Sequence, residues 1–501
     1  MSRELSTPLS IRTSSSVPVK NCVPFTEPRK QSAPLFEISP RAGIVVSSPP
    51  LSDAFWSPFV LDVGGQRFAK YPPGYPLLLQ FGVRAGMPGL VNGLLGAATV
   101  ALVGWLAQLL YCRAGTVCYL PLLAAVLLLT TPGSLVQSGL LLSHAASLFW
   151  TTLALLALAG VTRGNRWLLP AVGACLGLVF ITRPYAGLAV GLVMGIFLVV
   201  MILHGDLRWP ALLGLGAGAL PLILLLPGYW WWVAGSPTFN AYRVVWPYDR
   251  LGFGPDVGPE GYSVADALFI NARLKLTTLA RGLFGWPGWS SMLFMVIPFV
   301  SFVFKERHGA ETLPAKEQPF DRSPSCWDWL LLGLILSLVG LHIFYWAFGG
   351  ADGGLPRYYY EALPAFVLLT ARGIQLLAAW LRRFGPWPPR FLALLLALLI
   401  GFNLGWTLPR LLVAQQDKYG ITAVPLEAVA RAGLEPPVLI LVQDVDSWAD
   451  FAAPFAATSP SLDSPVIYAI DWNPRYRQAL RAQFPERNCW LLDGSDLRPC
   501  P

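Results

Sequence analysis

The sequence predicts an all-α polytopic membrane domain of about ten transmembrane helices, followed by a small C-terminal α/β subdomain. Hydrophobic residues make up 54% of the 501 residues. Charged residues make up only 13%, about half of the fraction that is usual in soluble globular proteins. Apolar runs with almost no charge also recur from about residue 89 to residue 412. Runs of this length and composition are typical of membrane-spanning helices.

Ten apolar segments account for the membrane domain. They are residues 89–110, 116–132, 144–161, 168–182, 186–203, 210–233, 289–304, 328–348, 361–381 and 391–411. Several are short, and we expect them to be interrupted by Pro121, Pro170, Pro184 and Pro221. Such breaks are tolerated where neighbouring helices cover the freed backbone groups. We therefore predict ten spans.

Arginine and lysine residues mostly flank the apolar segments, which gives an orientation by the positive-inside rule. The basic loops around 113, 163–166, 208, 304–322 and 381–390 are then cytoplasmic. The extracytoplasmic parts are the loops 133–143, 234–288 and 349–360 and the tail 413–501. The predicted location is a multi-pass protein of the inner or plasma membrane. The same distribution explains the net charge of +8 without nucleic acid, which we exclude as a partner.

Three regions follow from these patterns. Residues 1–42 are rich in Ser, Pro and Thr, and we interpret them as a disordered or aberrant N-terminus. Residues 43–412 form the membrane domain, with its long extracytoplasmic loop 234–288, and residues 413–501 form the α/β subdomain. Ten spans with an outside tail also require an outside N-terminus. Residues 1–88, however, contain no apolar segment long enough to be a signal or an anchor.

The tail is predicted to alternate strands and helices. "PPVLILVQD", "SPVIYAID" and "NCWLLDG" have the pattern of short buried strands, and "PRYRQALRAQF" that of a helix. In this tail, Cys489 and Cys500 could pair if it is extracytoplasmic. The cysteines in or beside apolar segments are expected to be inert small hydrophobic residues. They are Cys112, Cys118, Cys175 and Cys326.

The first candidate site is the stretch "RFAKYPPGYPLLL", which places Arg67 and Lys70 before a Pro-Pro-Gly corner. Each proline fixes its own φ and restrains the preceding residue, so we expect an extended, rigid corner. Such a corner would hold Lys70 and Tyr71 at the depth of the lipid headgroups. A cation held there suits a lipid phosphate.

The second candidate site is "GGADGGLPRYYYEALP", at the outer end of another predicted span. The guanidinium of Arg357 could grip a phosphate bidentately, with Tyr358 completing the site. An aromatic belt with a snorkelling arginine explains the same residues without a ligand.

Other polar residues are expected near the same outer surface. The long loop 234–288 contains Asp249, Arg250 and Asp256 among aromatic residues, either as part of a site or in a folded loop at the membrane interface. His144 opens one predicted span and Arg183 lies between two others, and each has a purely structural interpretation as well.

Six stretches in order resemble the GT-C superfamily of integral-membrane glycosyltransferases. They are "KYPPGYPLLL", "LLSHAASLF", "TRPYAGLAV", "DRLGFGPDVGP", "LFGWP" and "PRYYYEALPAFVLLTARG". Within that superfamily, the chain is similar to the bacterial Rgt-like group, which is related to the protein O-mannosyltransferases and the aminoarabinose transferase of lipid A. The resemblance covers about residues 43–501.

The resemblance implies hexosyl or pentosyl transfer from a polyprenyl-phosphate-linked sugar to a glycan, lipid or protein acceptor outside the cytoplasm. It implies that Lys70 contacts the donor phosphate and that Arg357 and the neighbouring tyrosines are further contacts. Members of the superfamily normally begin with a transmembrane helix and a loop that carries an acidic pair. This sequence is expected to lack both, so that the chain is either impaired by an altered start or a degenerate homologue.

Two further points stay open on the sequence alone. The base that the transfer requires could be any of several outer acids, which are Asp53, Asp62, Asp249, Asp256, Glu260, Asp266, Asp352 and Glu361. The sequence requires no cofactor, and a divalent metal remains a candidate although no metal-ligand spacing is visible.

Two other functions are alternatives to the transferase. A non-catalytic membrane protein that binds polyprenyl phosphate would account for the missing acidic pair. A lipid or solute transporter is disfavoured because the middles of the predicted spans are almost free of charge.

Overall fold

A computed structural model describes residues 45–112, 118–305, 325–347 and 357–501. The predicted N-terminal region 1–42, most of the predicted cytoplasmic loop 304–322, and Asp352 lie outside the described residues. Within the described ranges, the chain forms two compact units. One comprises residues 45–46 and 58–418, and is called the membrane unit below. The other comprises residues 47–57 and 419–501, and is called the tail unit.

A small sheet precedes the helices of the membrane unit, which the sequence patterns did not predict. Its strands are β1 (Val45–Ser47), β2 (Val60–Val63) and β3 (Gln66–Ala69), in the order β1-β3-β2. β2 and β3 form an antiparallel hairpin in which Asp62 faces Arg67. Each of these strands is only three or four residues long, so the period-two pattern on which strand prediction depends is hardly developed.

The Pro-Pro-Gly stretch after β3 starts a helix, α1 (Gly74–Arg84), and is not the extended corner that was predicted. Pro73 is the N-cap residue and has helical angles, φ −72° and ψ −13°. Proline suits this place because the first residues of a helix need no N–H donor. Lys70 thus lies between the end of a strand and the start of a helix.

Gly74 fixes the position of α1 against the last residues of the helix that ends at Thr182, directly before Arg183. A Cβ atom on Gly74 would lie 2.7 Å from the backbone oxygen of Ile181 and 2.7 Å from Oγ1 of Thr182. These are contacts that a methyl group cannot make, so only glycine allows this close approach.

Helices of five to 24 residues, joined by loops, form the rest of the described membrane unit. They are α2 (Pro88–Tyr111), α3 (Leu120–Thr130), α4 (Pro132–Gly139), α5 (His144–Thr162), α6 (Leu169–Thr182), α7 (Pro184–Leu203), α8 (Ala211–Ala234), α9 (Ala241–Val245), α10 (Ala272–Gly282), α11 (Ser290–Lys305), α12 (Cys326–Ile343), α13 (Leu363–Leu381), α14 (Trp387–Phe402) and α15 (Leu408–Val413). α5 and α13 are the most buried of the long apolar helices, whereas α8 exposes most of its surface.

All ten predicted apolar segments are helical, but not all of them have the length of a span. Seven helices in the described part of the chain are long and apolar enough to cross a membrane, and an eighth span results if the bent pair α3 and α4 is counted as one. The helical segments 166–182 and 290–300 are apolar but shorter. The chain is therefore a multi-pass membrane protein, and the predicted number of ten spans is not confirmed.

Three of the four prolines that were expected to interrupt spans stand instead in the first turn of a helix. Pro121, Pro170 and Pro184 occupy the first or second helical position of α3, α6 and α7. Here proline favours the start of the helix and breaks no backbone hydrogen bond. Pro221 lies inside α8 as expected, together with Pro227.

The middles of the spans are also less free of charge than predicted. Arg372 lies near the centre of α13, and its side chain is buried. Its Nη1 donates a hydrogen bond to Oε1 of Gln375 at 2.9 Å, and its guanidinium stacks on the ring of Tyr111, 5.3 Å from the centroid. A buried arginine at this depth requires such partners because its charge has lost its water.

The tail unit contains the predicted strands and helix. Its elements after residue 419 are α16 (Val424–Ala432), β4 (Val438–Val442), α17 (Trp448–Ala457), β5 (Val466–Ile470), α18 (Pro474–Gln483), β6 (Asn488–Asp493) and β7 (Asp496–Pro499). The sheet order is β5-β4-β6-β7, with β4 parallel to both β5 and β6. All five residues of β4 are buried, which agrees with the continuous apolar run in the sequence.

Two disulfides are present in the described residues. Cys489 pairs with Cys500 in the tail unit, as the sequence allowed. Cys112 pairs with Cys118, which corrects the expectation that both are inert small hydrophobic residues. These two cysteines flank a short loop after α2, and a pair at that separation was overlooked because each had been assigned to an apolar segment. Cys175 and Cys326 are free thiols.

The close approach at Gly74 gives a first testable prediction. We expect Gly74→Ala to lower the free energy of unfolding by about 1–3 kcal/mol, since the added methyl group overpacks the contact with Ile181. Thermal unfolding of the purified protein in detergent measures this change.

The matched control is Gly93→Ala in α2, where an added Cβ meets nothing within 4 Å. Alanine is the better helix former, so we expect this variant to be as stable as the wild type or slightly more so. Equal stabilities of the two variants would contradict the close packing of α1.

Candidate functional site

Lys70 is the centre of the candidate site, and its ammonium group is enclosed by aromatic rings. The side chain is fully buried. Its Nζ lies 3.6 Å from the ring centroid of Trp246, and 5.2, 5.3 and 5.5 Å from those of Phe59, Tyr71 and Tyr242. These distances allow cation–π attraction to all four rings. We call these four side chains the aromatic box.

Two pieces of local structure assemble the aromatic box. The backbone N–H of Lys70 donates to the carbonyl oxygen of Phe59 at 2.9 Å, which places both residues side by side at the end of the hairpin. On the other side, the Asn240 side chain caps α9 by accepting hydrogen bonds from its first backbone N–H groups. α9 carries Tyr242, and Trp246 follows directly after it, four residues on, so that the two rings project to the same side.

The charge of Lys70 is poorly compensated. Its Nζ donates no hydrogen bond to any residue that the structure describes. Burial therefore lowers the pKa of Lys70 to about 7, and the negative charge of Asp249 opposes this shift. An amine in this state changes its protonation near neutral pH and attracts an anion when it is protonated.

Asp249 lies beside Lys70 and is held by two donors from α12's C-terminal extension. Its Oδ1 accepts a hydrogen bond from the hydroxyl of Tyr345 at 2.7 Å and from Nε1 of Trp346 at 3.2 Å. The backbone N–H of Asp249 also bonds to the carbonyl oxygen of Trp246 at 2.8 Å. One tight turn thus places Trp246 against Lys70 and Asp249 next to both.

Arg357 approaches the same group of residues from a distant part of the chain. Desolvation of the Tyr71 hydroxyl raises the pKa of Tyr71, and the positive charges of Arg357 and Arg183 both oppose this rise. The charges of both guanidinium groups therefore act on that hydroxyl. Arg357 also stacks on Tyr358, 5.5 Å from the ring centroid, and the ring of Tyr358 lies 6.2 Å from that of Tyr345. Tyr345 in turn donates a hydrogen bond to Asp249, which connects Arg357 to the surroundings of Lys70.

His144 and Arg183 form a second polar cluster next to this group. The guanidinium of Arg183 contacts the imidazole of His144. Its Nε also forms an ion pair with Oε1 of Glu361 at 3.1 Å, and Glu361 is fully buried. A buried carboxylate of this kind requires a cationic partner, and Arg183 supplies it. Glu361, which directly follows the Tyr-Tyr-Tyr sequence, was one of the acids considered as the base, and here its carboxylate is paired with Arg183.

Three of the predicted candidates belong to separate ion pairs. Arg67 binds Asp62 across the β2–β3 hairpin, with 2.9 Å between Nη2 and Oδ2. Arg250 pairs with Asp256 at 3.5 Å, and both side chains are largely exposed, by 39% and 76%. That Arg67, Arg250 and Asp256 line the site stays a prediction; these ion pairs join residues within the hairpin and within the long loop. Alternation along β3 places Arg67 on the opposite side from its neighbours, whereas Lys70 lies beyond the strand.

Lys275 is a second buried lysine, but it has a different environment. Only 1% of its side chain is exposed, and burial lowers its pKa to about 7. Its Nζ donates hydrogen bonds to the carbonyl oxygens of His342 and Tyr345, the latter at 3.1 Å. Asn271 donates to Ile343 and Tyr345 in the same way, at 2.7 and 2.8 Å. Lys275 therefore caps the C-terminal end of α12, where carbonyl groups lack helical partners.

Three members of the aromatic box, Phe59, Tyr242 and Trp246, were missed in the sequence. The two residues that hold Asp249 were missed as well. The spacing of Tyr242 and Trp246 was a usable signal, because positions four apart lie on one face of a helix. Tyr345 and Trp346 gave no such signal, since they follow a span and have the composition of an ordinary interfacial belt.

Among the described residues, no group of three or more His, Cys, Asp or Glu side chains could hold a metal ion. The polar groups around Lys70 are instead ammonium, guanidinium, phenol and one carboxylate. Such a set suits an anionic ligand with oxygen atoms rather than a metal ion.

Comparison with known proteins gives two solved structures of ArnT from Cupriavidus metallidurans. The sequence of the apo structure is 14% identical to this one. The alignment covers 83% of this chain and 78% of the ArnT chain, with a TM-score of 0.44. The ArnT structure bound to undecaprenyl phosphate is also 14% identical in sequence. Its alignment covers 85% of this chain and 79% of the ArnT chain, with a TM-score of 0.46. Similarity at this level carries no argument about fold or function. No protein-family model and no curated protein matches the sequence.

The contrast between the two buried lysines gives a second prediction. We expect Lys70→Met to raise the free energy of unfolding at pH 6 by about 1–3 kcal/mol, because a buried ammonium without a hydrogen bond is replaced by an apolar side chain. Lys275→Met should lower it by about 1–3 kcal/mol, because carbonyl oxygens at the end of α12 lose their donor. Thermal unfolding in detergent measures both changes.

The pH dependence of the Lys70→Met effect has a definite sign. In the wild type, folding keeps Lys70 deprotonated above pH 7, whereas the unfolded chain stays protonated up to about pH 10. The wild type therefore gains stability as the pH rises from 7 to 10, and its deficit relative to Lys70→Met shrinks. Destabilisation by Lys70→Met throughout this range would contradict the account of an uncompensated ammonium.

Proposed function

We propose that the chain is an integral-membrane glycosyltransferase that moves a sugar from a polyprenyl-phosphate donor to an extracytoplasmic acceptor. The observation that carries the proposal is the ammonium group of Lys70, which is buried and donates no hydrogen bond within the described residues. Arg357 supplies a second positive charge, which acts on the adjacent Tyr71. The six stretches that resemble GT-C glycosyltransferases support the same reaction.

The donor phosphate fits the charges that meet here. A polyprenyl monophosphate has an anionic head on an apolar chain. The cations of the site can bind the head, and the apolar helices of the membrane unit can contact the chain. Lys70 has a flexible four-carbon stem, so its ammonium can move from the aromatic box towards a phosphate oxygen. The guanidinium of Arg357 can bind two oxygens at once.

These cations also support the chemical step. As the bond between the sugar C1 and the phosphate oxygen breaks, negative charge develops on the departing phosphate. Fixed positive groups in a site that excludes water stabilise this charge far more than they would in bulk water. Lys70 and Arg357 thereby assist departure of the phosphate as well as binding of the donor.

Two alternatives to the transferase are a non-catalytic lipid-binding protein and a transporter, and neither would release sugar from the donor. A non-catalytic protein would bind polyprenyl phosphate through the same cations without releasing sugar. A transporter is favoured by one observation, the buried Arg372 within α13, because intramembrane charges often mark transport pathways. Arg372 is engaged by Gln375 and Tyr111, however, and this agrees equally with a structural role.

A transfer assay tests the proposed function and gives a third prediction. Proteoliposomes are supplied with a panel of undecaprenyl-phosphate hexoses and pentoses and with an envelope extract as the source of acceptor. Mass spectrometry then measures the release of undecaprenyl phosphate. We expect the wild type to consume a donor, and Lys70→Met or Arg357→Ala to reduce the rate at least about 100-fold, the cost of losing one oxyanion-stabilising group.

The control variant is Arg250→Ala, which removes an exposed arginine from the same loop as Asp249. It should retain the wild-type rate. Binding of undecaprenyl phosphate without release of sugar from any donor would favour the non-catalytic alternative, and vectorial movement of the intact donor would favour the transporter.

We further propose that the tail unit is extracytoplasmic, with the protein in the inner or plasma membrane. The Cys489–Cys500 disulfide supports this side, since disulfides persist in oxidising compartments. The Cys112–Cys118 disulfide favours the same side for its own loop, opposite to the side expected from Arg113. The Cys489–Cys500 disulfide therefore tests the side of the tail, and the Cys112–Cys118 disulfide tests the side of the segment after α2.

Labelling of cysteines in intact cells gives a fourth prediction. In a variant that keeps only Cys489 and Cys500, we expect an impermeant maleimide to react only after an impermeant reductant has been added, because the paired thiols face outwards. The mass shift on a gel measures the reaction. Labelling that appears only after the cells are lysed would place the tail in the cytoplasm.

A further inference from the structure

The transfer of a sugar to a hydroxyl acceptor requires a base, and the sequence offered several acids for this role. The structure separates them by their partners. In the described part of the membrane unit, Asp62 is paired with Arg67, Asp256 with Arg250 and Glu361 with Arg183. Asp266 accepts hydrogen bonds from Ser263, and Glu260 is exposed to solvent. Asp249 remains as the acid that lies beside Lys70.

The two carboxylate oxygens of Asp249 have different surroundings. Oδ1 is held by Tyr345 and Trp346, as described above. Oδ2 accepts no hydrogen bond from the residues that the structure describes, although only 8% of the residue is exposed. The carboxylate is thus fixed through one oxygen, and the other oxygen is available to a ligand. This is the arrangement that a general base needs, with its orientation set by neighbouring groups.

Asp249 also lies next to the positive charge that is assigned to the donor phosphate. Trp246 connects the two residues, because its ring lies 3.6 Å from Nζ of Lys70 and its carbonyl oxygen accepts a hydrogen bond from the backbone N–H of Asp249 at 2.8 Å. A donor phosphate held by Lys70 would place the sugar C1 on the same side of Trp246 as the carboxylate of Asp249. An acceptor hydroxyl that approaches C1 from the side opposite to the phosphate would come within reach of the carboxylate.

We propose that Asp249 is the general base of the transfer. This inference rests on the proposed function. Oδ2 takes the proton of the acceptor hydroxyl while the acceptor oxygen forms its bond to C1 of the sugar. The bond between C1 and the phosphate oxygen breaks, and its electron pair leaves with polyprenyl phosphate, which Lys70 and Arg357 stabilise. The products are the glycosylated acceptor, polyprenyl phosphate and a protonated Asp249 that returns its proton to water.

Tyr345 and Trp346 are positioning residues for this step. Their hydrogen bonds to Oδ1 hold the carboxylate plane in one orientation, so that Oδ2 faces the site. Tyr345→Phe removes one of these bonds and leaves the carboxylate in place. We therefore expect a smaller loss of rate than from the loss of the base itself.

A different role for Asp249 would be that of a counter-ion that keeps Lys70 charged. The two roles differ in what they do to donor binding. Loss of a base slows the chemical step and leaves the affinity for the donor phosphate almost unchanged. Loss of a counter-ion weakens binding because Lys70 is then more easily deprotonated.

The experiment measures transfer and binding on the same full-length variants in proteoliposomes. For Asp249→Asn, we expect kcat to fall about 100- to 10,000-fold, the range typical of general-base removal. Binding of undecaprenyl phosphate, followed by quenching of tryptophan fluorescence, should change less than about threefold. Asp249→Glu keeps a carboxylate and should recover part of the rate. The control Glu260→Gln changes an exposed acid of the same loop and should leave kcat and binding unchanged.

Each remaining outcome overturns a defined statement. If Asp249→Asn transfers sugar at a rate within about tenfold of the wild-type rate, Asp249 is not the general base, and the proposed function is unaffected. If Asp249→Asn loses transfer and donor binding to the same extent, Asp249 acts as the counter-ion of Lys70 and not as the general base. A wild type that binds the lipid and transfers no sugar overturns the proposed function, and the base with it. If Asp249→Asn does not fold, equal rates for Asp249→Glu, Tyr345→Phe and the wild type contradict the proposal.

Discussion

The contact between the buried ammonium of Lys70 and the aromatic rings around it is the interaction on which the rest of the site depends. Cation–π attraction supplies about 0.5–2 kcal/mol and offsets only part of the cost of removing an ammonium from water. The rest of that cost is not met by any hydrogen bond within the described residues. Uncompensated buried groups of this kind occur in natural proteins mainly at functional sites.

Short segments with strong local geometry hold this interaction in place. The hairpin brings Phe59 next to Lys70, and the helix start at Gly74 packs against the end of α6. The turn from Trp246 to Asp249 is closed by a backbone hydrogen bond and brings a ring and a carboxylate into one short segment. The long helices supply the scaffold, whereas the chemistry lies in the connections between them. Rigid scaffolds with functional connections are a common arrangement in proteins.

The sequence was sufficient for the helical membrane domain and for the strands of the tail, because both depend on the periodicity and length of apolar runs. Charges beside apolar segments also drew attention to Lys70 and Arg357, and the contacts of these residues with a donor phosphate stay predictions. It did not predict the box around Lys70 or the fixed carboxylate of Asp249, because these contacts join segments far apart in the chain. Local rules also misjudged the prolines, since the same residue that breaks a helix interior favours a helix start.

A structure of the protein with undecaprenyl phosphate bound tests the central claim most directly. We expect a phosphate oxygen at hydrogen-bonding distance from Nζ of Lys70, with the guanidinium of Arg357 on the same phosphate. The lysine should have moved partly out of the rings of Trp246 and Tyr242. A bound phosphate that touches neither cation, with Lys70 still enclosed by the aromatic rings, would contradict the account.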